Sequence, residues 1–149
     1  MKQLKLKIML AVMLTAGFSC STEPEEINFS GDQCSLCKMN ISDTKFGAEI
    51  VTKKGKIYKY DAVECMMNAL SLGNIAFDDA AGFYAIDASN PKHLIDAVNA
   101  AYLISEKLPS PMGANLTTFG KRSDAESKQK EFGGEVTSWN DLLVKFKVK

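Results

Sequence analysis

From Gly31 onward the chain alternates between the two spacings of apolar positions that mark strands and helices. Residues 46–52 (Phe-Gly-Ala-Glu-Ile-Val-Thr) carry β-branched and aromatic side chains, and residues 56–60 alternate as Lys-Ile-Tyr-Lys-Tyr. Between them Lys53-Lys54-Gly55 is a polar, glycine-containing turn, so the two runs predict a hairpin. Over residues 62–72 the spacing changes. Val63, Met66, Met67 and Leu70 stand at i, i+3, i+4 and i+7, which places them on one helical stripe. Asp61 occupies the expected N-cap position and Gly73 the expected stop. Residues 82–87 predict another strand, which makes the first order β-β-α-β.

The same order recurs downstream. Strands are predicted around residues 101–104 and 116–121, and Ser123 with Glu126 reads as a capping box opening a helix that runs to Phe132. Gly133-Gly134 ends that helix, residues 135–139 predict a last strand, and residues 140–146 a short amphipathic helix. Residues 90–98 are ambiguous: Asn90-Pro91 suits a helix start, but only a turn or two fits. The expected fold class is α+β, built from two small β-β-α-β units at residues 31–98 and 99–149. They share an order of elements but little residue identity, as a duplicated unit would.

Composition narrows the class. Hydrophobic residues make up 46% of the 149 and charged residues 24%, a globular balance rather than a disordered one. The formal net charge of +0 leaves no electrostatic footprint for nucleic acid. The N-terminus reads as an address. Lys2, Lys5 and Lys7 precede the short apolar run 8–16 and then Gly17-Phe18-Ser19-Cys20. That run is too short to span a bilayer but suits a signal peptide. Residues 1–19 are therefore expected to be a lipoprotein signal, with Cys20 as the lipid attachment site and residues 20–30 as a tether. Gly17 stands where a leucine-like residue is usual; the alternative is ordinary secretion with cleavage near Ser19. Either way the body faces the periplasm or the cell exterior, and with lipid on Cys20 it is held at the outer or cytoplasmic membrane.

The sulfur residues carry the candidate chemistry. With Cys20 assigned to lipid, Cys34, Cys37 and Cys65 remain, an odd number for an exported protein. Cys34-Ser35-Leu36-Cys37-Lys38-Met39 is a C-x-x-C-x-M run, Cys65 is followed by Met66-Met67, and Met112 lies in a Pro-Met-Gly turn. Thiolate with thioether is the soft donor set that selects copper(I) over hard cations. Other readings of the C-x-x-C are a simple disulfide, a thioredoxin-type pair (lacking its preceding strand), or zinc, which wants four ligands. Met66 and Met67 lie on the apolar stripe and suit the core. Cys65, on its flank, suits either packing or facing the C-x-x-C. The lone His93 suits a solvent-facing or structural place.

These residues resemble the nitrous oxide reductase accessory protein family (NosL), membrane-anchored lipoproteins regarded as copper(I) chaperones. The similarity runs through Cys37-Lys38-Met39-Asn40-Ile41, Phe46-Gly47-Ala48-Glu49-Ile50, Gly55-Lys56-Ile57-Tyr58, Asp61, Cys65-Met66, Ile86-Asp87, Pro111-Met112-Gly113 and Phe132-Gly133-Gly134-Glu135-Val136. The resemblance implies a fold of two β-β-α-β units, no enzymatic activity, and copper(I) bound at Cys37 and Met39 with Met112 in the family's Pro-Met-Gly. It also implies an ATP-driven copper exporter as donor and nitrous oxide reductase as acceptor. The denitrifier branch of the family often carries one cysteine in this motif and a histidine shortly after the methionine. Here that position falls near Thr44, while Cys34 and Cys65 are additional, which favours an all-sulfur site. A thiol–disulfide exchange protein using Cys34 and Cys37 is the alternative function.

Overall fold

A computed structural model describes residues 21–149, so Cys20 and the expected signal segment lie outside the described residues. The predicted hairpin is present. Strand β1 (Ala48–Thr52) pairs antiparallel with β2 (Ile57–Tyr60), and its other edge takes β3 (Ala80–Ile86). A short strand β4 (Leu94–Asp96) completes the first sheet in the order β2-β1-β3-β4. The second sheet places β5 (Ala101–Ile104) between β6 (Leu116–Phe119) and β7 (Glu135–Ser138), again antiparallel. In both sheets the first strand of the unit is central, with the second and third on its two edges.

Helix α1 (Val63–Ser71) follows β2, α2 (Arg122–Phe132) follows β6, and α3 (Trp139–Lys145) follows β7. The stripe predicted for α1 is buried, but so are Glu64, Cys65 and Ala69. The cause is packing on more than one side: α1 lies against β1 and β2 and also touches β6 of the second sheet. One core therefore joins both sheets, running from Ile50 and Tyr60 through Met66 and Met67 to Tyr102, Leu116, Trp139 and Leu142.

Several local expectations are corrected. Asp61 is not the cap of α1: Ala62 holds that position in extended conformation with no side-chain cap, and Asp61 is buried. Ser123 and Glu126 form no capping box, because α2 starts two residues earlier than they require, with Lys121 as N-cap; Glu126 instead pairs with Arg122 at 3.0 Å. The real capping box is Ser138 with Asp141, which ends β7 one residue early and starts α3 at Trp139. Residues 94–96 of the ambiguous stretch form β4, not a helical turn. The expected tether is docked from Glu25 onward: its N–H donates to Glu49 Oε1 at 3.0 Å, and Ile27 is buried with Ile41 and Ile86.

Candidate metal centre

The C-x-x-C-x-M run folds into a closed loop ahead of β1. Gln33 and Asn40 pair as an isolated bridge at its base. Inside, the Cys34 amide donates to the Met39 carbonyl at 2.8 Å, and the Lys38 amide to the Cys34 carbonyl at 3.0 Å. Lys38 closes the loop with a left-handed φ of 66°, and its ammonium donates to the Ser35 carbonyl at 2.8 Å. The loop is pinned to β2 by the Ser35 amide, which donates to the Lys59 carbonyl at 2.7 Å. So tight a loop turns both of its cysteines toward the start of α1, where Cys65 waits.

There the Sγ atoms of Cys34, Cys37 and Cys65 lie within 4.8 Å of one another, and all three are free thiols. Cys34 and Cys65 are fully buried and Cys37 is half-buried. The question left open for Cys65 is thereby answered: it is buried and it faces the C-x-x-C. Metal–thiolate bonds of about 2.3 Å in a trigonal site would set the sulfurs about 4 Å apart, so little movement separates this cluster from a loaded one. Met39 and Met112 are tied by their backbones to the segments that carry the thiols, but both residues are about half exposed, at 52% and 42%. Met66 and Met67 are core residues, and His93 is exposed.

The three thiols are not equivalent. A hydrogen bond from the Cys65 thiol draws the Cys34 pKa well below the usual thiol range; burial opposes this, and the N–H groups of Asp61, Cys37 and Leu36 reinforce it. The same bond keeps the proton on Cys65, whose pKa is driven up, with burial and the Cys34 charge adding to the effect. Burial also pushes Cys37 up, against the N–H of Met39. The cluster thus favours one thiolate, at Cys34, shared by two protonated neighbours. Asp61 beside it is pushed above the usual carboxylate range by burial and then by the negative charges of Cys34, Glu64 and Asp43. Such surroundings oppose further negative charge and favour a cation.

One participant has no signal in the spacing. Glu64, next to Cys65, is 1% exposed and accepts hydrogen bonds from Ser110 Oγ at 2.6 Å and the Met112 amide at 3.1 Å. It joins the Pro-Met-Gly turn to the helix of Cys65. Helical periodicity alone would leave a glutamate in this first turn facing water.

A family model described as NosL matches residues 26–145, which span the cluster and both sheets. The chain belongs to the NosL family. Within it, the copper-binding lipoprotein NosL of Stutzerimonas stutzeri is 27% identical, over 90% of this chain and 78% of that protein. The crystal structure of the copper chaperone NosL from Shewanella denitrificans superposes with a TM-score of 0.69 at 23% identity, covering 81% of this chain and 96% of that one. That likeness fixes the NosL fold, mixed helices with small antiparallel sheets. Neither description is of an enzyme.

Proposed function

We propose that this protein is a copper(I) carrier that holds the ion on Cys34, Cys37 and Cys65 and hands it to an extracytoplasmic acceptor. The observation that carries the reading is the cluster of three free thiols within 4.8 Å in a largely buried setting. Soft sulfur donors select copper(I), and the NosL relatives are named for copper. Cys37 and Met39 stand on the accessible side, where an incoming donor can displace one ligand at a time, while Cys34 and Cys65 retain the ion. Met39 and Met112 act as weaker, exchangeable donors. The expected metal source is an ATP-driven copper exporter, and the acceptor is nitrous oxide reductase or a related copper enzyme. Anchoring through lipid on Cys20 would keep the carrier at the envelope surface, as the name of the Stutzerimonas stutzeri relative suggests.

Thiol–disulfide exchange fits less well. That chemistry needs an accessible thiol of low pKa. Here the lowered thiol, Cys34, is buried, and the accessible one, Cys37, is held up.

Competition of the reduced protein with a copper(I) chelator tests the reading. One tightly bound ion is expected, and Cys34→Ser with Cys37→Ser together should abolish it. Unchanged affinity in that double variant would overturn the assignment. For the anchor, Cys20→Ser should move the protein from the membrane fraction to the soluble one, and retention on the membrane would argue against lipidation there.

A further inference from the structure

Glu64 is the one charged residue among the buried positions of α1; the others are Val63, Cys65, Met66, Met67, Ala69 and Leu70. Only one of its oxygens is used. Oε1 receives Ser110 Oγ and the Met112 amide, whereas Oε2 is buried and takes no hydrogen bond from any described residue. A buried carboxylate partnered on one side costs stability that an apolar side chain would not. Packing alone therefore does not account for a glutamate at this position.

Its two partners belong to one turn. The Gly113 amide donates to the Ser110 carbonyl at 3.0 Å, with Pro111 second in the turn and Met112 third. Ser110 Oγ is anchored in its own right, because it accepts the Leu116 amide at 3.3 Å where β6 begins. Glu64 thus binds the backbone of Met112 directly and its turn a second time through Ser110. Met112 as a residue remains 42% exposed.

We propose that Glu64 is a positioning residue that fixes the backbone of Met112 to the helix of Cys65, so that the Met112 thioether serves as the exchangeable donor to the thiol-bound ion. The inference rests on the reading of the three thiols as a copper(I) site. The arrangement separates two demands on a carrier. The base of the donor is rigid, so its effective concentration at the ion is high, while the thioether itself is free to leave when an acceptor arrives. A glutamate does this where an apolar residue could not, because its target is a backbone N–H.

The test uses reduced full-length protein labelled with ¹³C at the methionine methyl groups, with the Met112 signal assigned through Met112→Leu. In the parent protein, one equivalent of copper(I) should shift the Met112 methyl resonance. Glu64→Ala should lose that shift while the ion stays on the thiols, seen by their copper–thiolate ultraviolet absorption. Glu64→Gln, which keeps an oxygen acceptor, should restore it. Copper(I) affinity should fall by the same factor in Glu64→Ala and Met112→Leu, and no further in the double variant. A wild-type shift in Glu64→Ala, or losses that add in the double variant, would overturn the proposal. Should Glu64→Ala not fold, Ser110→Ala removes one of the two bonds and must diminish the shift; an unaltered shift there is equally fatal. A parent protein whose thiols take copper(I) while Met112 stays silent refutes the donor role of Met112, and with it that of Glu64, but leaves the thiol site standing. A parent that takes none refutes the copper site itself.

Discussion

The sulfur of Cys65, on α1, lies within 4.8 Å of the sulfur of Cys34, on the loop before β1, and Cys34 is the favoured thiolate of the cluster. This approach brings together two segments far apart in the chain and gives the copper(I) reading its third thiol. Cys65→Ser should therefore lower copper(I) affinity about as much as Cys37→Ser, by roughly tenfold or more. His93→Ala should leave it unchanged, since His93 is exposed on the loop before β4. Chelator competition on the three variants decides it. A Cys65→Ser protein with parental affinity would return Cys65 to the core and reduce the site to the C-x-x-C-x-M loop.

The body should fold without metal. Its main core runs through both sheets and α1, and Cys34 and Cys65 already pack within it as free cysteines. Circular dichroism of chelated, reduced protein is expected to keep its helix and strand signal. Collapse of that signal on chelation would mean a structural metal instead.

Glu49 gives the fold a defined dependence on pH. Burial on β1 raises its pKa above the usual carboxylate range, opposed in part by the Glu25 N–H and by Lys59. The folded state therefore holds this proton more tightly than the unfolded chain. That contribution is complete below the ordinary glutamate pKa of about 4.3 and is lost as pH rises through the folded value. Glu49→Gln removes the ionisation and keeps an oxygen for the Glu25 N–H. Urea unfolding should show the variant gaining stability relative to the parent between pH 4 and pH 7. A difference that is constant over this interval would rule out Glu49 as the source.

The glycines after α2 should respond unequally. Gly133 pairs φ 71° with ψ −167°, a conformation nearly confined to glycine, but has nothing within 4 Å of an added Cβ, so Gly133→Ala should cost about 2 kcal/mol from backbone strain alone. Gly134 has φ 99°, and its Cβ would run into the Ile104 carbonyl oxygen and the Cβ of Ser105. Gly134→Ala should cost about 3 kcal/mol or more, with β7 displaced from β5. Equal losses in urea would show that the close approach to β5 is relaxed in solution.

Local spacing was a sound guide wherever one element decides its own form. The hairpin at Lys53-Lys54-Gly55, the stripe Val63, Met66, Met67, Leu70 and the stop at Gly133 all follow from side-chain period and glycine chemistry, and all are present. Two expected caps failed because capping depends on where the first helical turn begins, which residue type alone does not set. Ala62 and Lys121 hold the cap positions with no side-chain bond, while the box of Ser138 with Asp141 straddles the boundary between the expected strand and helix. Strand β4 is three residues long, too short to show a period.

By itself the sequence determined the soft donors, their grouping as C-x-x-C-x-M, and the order of strands and helices that carries them. Spacing along one element says which side chains share a face, but not which faces meet. Only the tertiary structure decided that α1 lies against both sheets, which buries its polar flank along with its apolar stripe. That packing brings Cys65 to Cys34 and Cys37 and turns Glu64 toward Met112, contacts that cross long stretches of chain and leave no period to read.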